Sequence, residues 1–86
     1  MSITKESLIA YLVANFGVRE EELSDEAPLF SGGLLDSFHL VELVGCLEDK
    51  AGIKVGALEV TLDNLDSISR ILGFVKSKLS STEPGT

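Results

Sequence analysis

The chain has 86 residues, 44% of them hydrophobic and 24% charged, which is enough for one small domain and too apolar for a disordered tail. Acidic residues number 14 against 7 basic, a formal charge of −7, and this excludes a nucleic-acid binder in the ordinary sense, because phosphates are neutralised by Lys and Arg. A single cysteine, Cys46, leaves no internal disulfide, and the longest uncharged stretch, Ser7–Val18, has 12 residues, so the sequence predicts a cytoplasmic protein with no targeting segment and no membrane span.

The first helix is predicted from Leu8, Ile9, Leu12, Val13 and Phe16, which make one apolar stripe at 3.6 residues per turn, with Ser2 or Thr4 as N-cap and Gly17 as the left-handed stop. An 18-residue connection follows, Val18 to Leu35, too long for an ordinary loop and carrying Leu23, Leu29, Phe30, Leu34 and Leu35 as expected anchors. Asp36-Ser37 opens the second helix, which runs to Ala51 and stops at Gly52, with Leu40, Leu43, Val44, Leu47 and Ala51 facing inward. Leu58 to Leu65 carries weak helical signals for a single turn. Asp66 or Ser67 is expected to cap the last helix, whose stripe is Ile68, Ile71, Leu72, Val75 and Leu79 and whose Lys76 and Lys78 suit the negative end of its dipole. The fold class is therefore all-α, a small four-helix bundle with three main helices and a short third one, folded over residues 1–79 and followed by a flexible tail at 80–86.

Reactive groups are few. There is one His, one Cys, no metal-ligand cluster and no G-x-S-x-G elbow, so no enzyme is expected. His39 and Cys46 share a flank of the second helix, but two ligands are too few for a metal, and Asp63-Asn64-Leu65-Asp66 lacks the glycine and distal glutamate of a calcium loop. The informative stretch is Phe30-Ser31-Gly32-Gly33-Leu34-Leu35-Asp36-Ser37-Phe38, a glycine-rich approach ending in a hydroxyl at a helix mouth. On its own, Asp36-Ser37 is an ordinary capping pair.

From Leu8 to Leu79 the order of elements, with Leu-Asp-Ser at the mouth of an acidic second helix, resembles the acyl carrier and peptidyl carrier protein family. The resemblance implies a free-standing carrier domain with 4'-phosphopantetheine, donated by coenzyme A, esterified to Ser37 and holding acyl intermediates of fatty acid or polyketide synthesis as thioesters. It also implies that Asp36 caps the helix and is recognised by the phosphopantetheinyl transferase. Phe38 stands where the family has leucine, and Gly33-Leu34-Leu35-Asp36-Ser37 is similar to D-alanyl and other aminoacyl carriers, the alternative cargo class. Implied partners are that transferase, an acyl- or aminoacyl-loading ligase and downstream acyl-processing enzymes, all meeting a monomer. Without modification the chain would instead be an acidic adaptor for proteins.

On the helical wheel Phe38, Glu42, Gly45 and Asp49 lie opposite the core stripe, with Val41 and Glu48 on its shoulder. An apolar pair ringed by carboxylates suits a basic partner surface with an apolar pocket, or else is a solvated face with one exposed Phe. The charge is concentrated there too: Glu20 to Asp66 holds twelve carboxylates against Lys50 and Lys54.

Overall fold

The computed structural model describes residues 3–81. Four α-helices make up its frame, α1 (Lys5–Phe16), α2 (Ser37–Ala51), α3 (Leu62–Leu65) and α4 (Ile68–Ser81), with 3₁₀ turns at Glu20–Glu22 and Ala57–Glu59. The all-α expectation is borne out. The weak Leu58–Leu65 signal resolves into a 3₁₀ turn and then the one-turn α3. Ser2 and the tail residues 82–86 lie outside the described residues, while α4 continues to Ser81, beyond the expected boundary.

Helix ends follow from local chemistry. Thr4 Oγ1 accepts from the Ser7 amide at 3.1 Å while Ser7 Oγ accepts from the Thr4 amide at 3.0 Å, which satisfies two amides that the helix itself leaves orphaned. Gly52 ends α2 at φ 69, a left-handed conformation in which a Cβ would be strained. At α4 the cap is Ser67, whose buried hydroxyl accepts from the Arg70 amide at 3.1 Å. Asp66, the other expected cap, is used elsewhere.

Every helix and the long connection contribute to one core, with Leu8, Leu12, Leu43, Leu47, Ile68 and Ile71 among its fully buried side chains. Each such side chain contributes about 1.5–3 kcal/mol by leaving water. Two helices are turned slightly from the expected stripe. Val13 is exposed although periodicity puts it on the inner face of α1, and Phe74, outside the expected stripe, is buried in α4. A phenylalanine on the shoulder of a stripe is long enough to reach the core, and the helix rotates toward the larger apolar surface.

The connection from Val18 to Leu35 is anchored as expected: Leu23, Leu29 and Leu35 are buried, and Phe30 and Leu34 pack on the core from its edge. Polar ties add to this. The Ser69 amide donates to the Asp25 carbonyl at 3.0 Å, and Lys5 Nζ meets Asp25 at 2.6 Å. That second contact is solvent-exposed, so water and salt screen it. Farther along α4, Glu59 Oε1 accepts from the Gly56 amide at 2.9 Å and both its oxygens accept from Lys78 Nζ, which fixes the Ala57–Glu59 turn to that helix.

Candidate functional site

The approach to α2 is a closed loop. Its neck is the bond from the Leu35 amide to the Leu29 carbonyl at 2.7 Å, and both residues are buried. Within it, Gly33 takes φ 83, open only to glycine at low cost, and a Cβ on Gly32 would come within 2.5 Å of the Pro28 carbonyl oxygen. The two glycines are thus required by turn geometry and by close approach respectively. Asp66 holds the loop from outside. Its Oδ1 accepts from the Phe30 amide at 2.7 Å and the Ser31 amide at 3.0 Å, its Oδ2 from the Ser31 hydroxyl at 2.6 Å, and its carbonyl from the Leu29 amide at 2.6 Å.

The loop delivers Asp36 in extended conformation as N-cap of α2. Asp36 Oδ1 accepts from the Phe38 and His39 amides at 3.0 and 3.1 Å, and His39 Nδ1 accepts from the Asp36 amide at 3.1 Å. His39, which the sequence places only on a shared flank of α2 with Cys46, is half of a reciprocal cap. Its ring also lies against Phe16, with centroids 4.6 Å apart.

Ser37 is the first residue of α2 and is exposed; among the described residues neither its hydroxyl nor its amide has a hydrogen-bond partner. No side-chain base bonds it, and the described residues hold no group of three or more His, Cys, Asp or Glu that could bind a metal. The hydroxyl is an open handle without activation. Asp36 has already taken the Phe38 and His39 amides, so an anion attached at Ser37 would meet the free Ser37 amide and the helix dipole rather than the full set of first-turn donors.

Along α2, Phe38 is 80% and Val41 72% exposed, with Glu42, Gly45 and Asp49 also facing water. A Cβ on Gly45 would meet nothing within 4 Å. Glu48 differs from this group. It is half-buried, and its Oε2 accepts from the Val55 amide at 2.8 Å, tying the last turn of α2 to the chain that follows. Cys46 is half-buried, and burial pushes its thiol up, more than Lys50 and the Tyr11 hydroxyl pull it down. A raised pKa favours the thiol over the thiolate at neutral pH. Sequence reasoning passes over Leu58 and Leu62, which stand 95% and 50% exposed on the Ala57–Glu59 turn and α3.

A family model described as a phosphopantetheine attachment site matches residues 6–75. The chain belongs to the phosphopantetheine-binding carrier proteins. A curated relative, the D-alanyl carrier protein of Abiotrophia defectiva, is 32% identical over 77 residues, covering 86% of this chain and 90% of the relative. The cofactor of this carrier is covalent 4'-phosphopantetheine, and carriers of this family interact with modifying and processing enzymes. The residues present fit the group: an exposed, unbonded hydroxyl at a helix mouth leaves room for a tethered arm and needs no chemistry of its own. No helix among the described residues is long and apolar enough to cross a membrane.

Proposed function

We propose that Ser37 is the attachment residue and that the chain is a non-catalytic carrier, its Asp36 holding the helix mouth in place for the transferase. The observation that carries this is the Ser37 hydroxyl, exposed and unbonded at the start of α2. When bound, the arm supplies a thiol that holds a carboxylic acid as a thioester. The chain's own part is to present that serine and to offer a docking face, Phe38 and Val41 flanked by Glu42, Gly45 and Asp49, to basic partner surfaces with apolar pockets. Glu48 joins this face through its position more than its charge, since its carboxylate is engaged by Val55.

As cargo, an aminoacyl group such as D-alanine is supported by the name of the relative and by the Gly33-Leu34-Leu35-Asp36-Ser37 approach, whereas a fatty or polyketide acyl chain has only the family motif behind it. Two experiments test these readings. Intact mass after incubation with coenzyme A and a broad-specificity phosphopantetheinyl transferase should rise by one phosphopantetheine in the wild type and stay unchanged in Ser37→Ala, with helicity kept because Asp36 still caps. Labelling of Ser37→Ala at Ser31 or Ser67 would reassign the site, and an unlabelled wild type would make the chain an unmodified adaptor. The holo protein is then offered D-alanine or a fatty acid, each with ATP and an activating ligase, and the mass of the product identifies the cargo class.

A further inference from the structure

We propose that Asp66 is a positioning residue for Ser37: from the corner between α3 and α4 it sets where the mouth of α2 stands when the transferase acts. The inference rests on Ser37 as the attachment residue and concerns what holds that serine in place.

Neither the Ser37 hydroxyl nor its amide is tethered among the described residues, so its location is set by α2, which it opens, and by the loop that leads into it. That loop leads to Asp66. Three consecutive residues, Leu29, Phe30 and Ser31, give Asp66 four hydrogen bonds of 2.6–3.0 Å, three to the carboxylate and one to the carbonyl. Leu29 in turn accepts from the Leu35 amide at 2.7 Å, and Leu35 is joined covalently to the cap residue Asp36. The Asp66 carbonyl and the helix mouth are thus joined by two hydrogen bonds in series through the buried Leu29 and Leu35, which any side-chain variant keeps, and the carboxylate fixes the next two residues of the same loop, Phe30 and Ser31. Gly32, packed on the Pro28 carbonyl, and Gly33, at positive φ, restrict the rest of the loop. Removing the Asp66 carboxylate frees one side of the loop while α2 keeps its own cap and its exposed face.

The transfer forms a bond between Ser37 Oγ and the phosphorus that carries pantetheine, breaks the pyrophosphate bond of coenzyme A, releases its adenosine bisphosphate half, and sends the serine proton to a base of the transferase. Its rate depends on where Oγ stands relative to that phosphorus, and a misplacement of about 1 Å can cost about a hundredfold. Docking through Phe38 and Val41 does not depend on the loop. Loss of positioning should therefore lower kcat with little change in KM for the carrier. A purely structural defect does the opposite: a partly unfolded population dilutes the substrate, raising apparent KM and leaving kcat at saturation unchanged.

The test is transferase kinetics on the full apo chain, with coenzyme A saturating and carrier varied, for wild type, Asp66→Ala, Asp66→Asn, Ser31→Ala and the core control Val75→Ala, beside thermal unfolding of each. Asp66→Ala should lose about tenfold in kcat with KM within about twofold. Ser31→Ala should lose less, and the double variant Ser31→Ala with Asp66→Ala no more than Asp66→Ala alone, as one network requires. Val75→Ala should change KM alone. If Asp66→Ala does not fold, Asp66→Asn, which keeps an acceptor oxygen and loses the charge, decides by the same split. Wild-type kcat in the folded Asp66 variants, or a change in KM only, would overturn the positioning role and leave Ser37 as the attachment residue. A wild type that gains no mass at Ser37 would overturn both.

Discussion

Phe38 is 80% exposed and Leu47 fully buried on the same helix, so truncating the two should separate folding from docking. Leu47→Ala leaves a cavity and should cost about 2–5 kcal/mol. Phe38→Ala removes little buried surface and should cost well below the roughly 3–5 kcal/mol of a core phenylalanine. In transferase or ligase kinetics the order reverses, because an interface anchor commonly contributes about 2 kcal/mol or more to binding. Urea unfolding beside carrier KM for both variants checks the pair; equal destabilisation with normal kinetics for Phe38→Ala would displace the docking face. Glu48 sharpens the same point, since its bond to the Val55 amide makes Glu48→Ala the loss of a fold contact as well as of surface charge.

The Asp66 latch also predicts a pH dependence of stability. Desolvation pushes the Asp66 carboxyl up, but the Ser31 hydroxyl, the Ser31 and Phe30 amides and Arg70 together pull it further down, so that it lies below its ordinary value of 3.8. A carboxyl with a depressed folded pKa stabilises fully above its unfolded pKa and loses that contribution as pH falls through the folded one. The stability gap between wild type and Asp66→Ala should therefore be constant at neutral pH and shrink below about pH 5, as urea unfolding across that range would show. A gap that stays constant to low pH would mean that the charge is not what binds the loop. This latch is also the least legible part of the site. The limits of α2, its Asp36 cap and its Gly52 stop are written in neighbouring residues and can be read directly, as can the exposure of Phe38. Asp66 looks like a helix cap because it precedes Ser67, and its partners stand 35 and 36 residues upstream, where no local pattern points. The rotation of α4 toward Phe74 is hidden for a similar reason, because periodicity marks a stripe but not which neighbours fill it.

Across the whole molecule, charge outweighs pairing. Lys5, Arg19, Arg70 and Lys78 each meet a carboxylate, yet the formal charge remains −7. The minor extents of the body are 24 and 19 Å, within the Debye length of about 30 Å at 0.01 M ionic strength and about twice the 10 Å at 0.1 M. Carboxylates on opposite sides therefore repel one another in dilute buffer and not at moderate salt. The melting temperature should rise by a few degrees between those conditions, the gain from screening repulsion exceeding the loss from screening exposed pairs. A flat or falling melting curve would show that the pairs dominate. The open space beside Gly45 has one more use. Gly73 on α4 shares its situation, exposed and helical, and a Cβ added there would likewise meet nothing within 4 Å. Alanine at either position should stabilise the fold by about 0.4–1 kcal/mol. The two substitutions are thus thermodynamic twins on different surfaces: Gly73→Ala provides a sturdier background in which weakened latch variants stay folded, and any excess kinetic penalty of Gly45→Ala over it measures how closely a partner approaches α2.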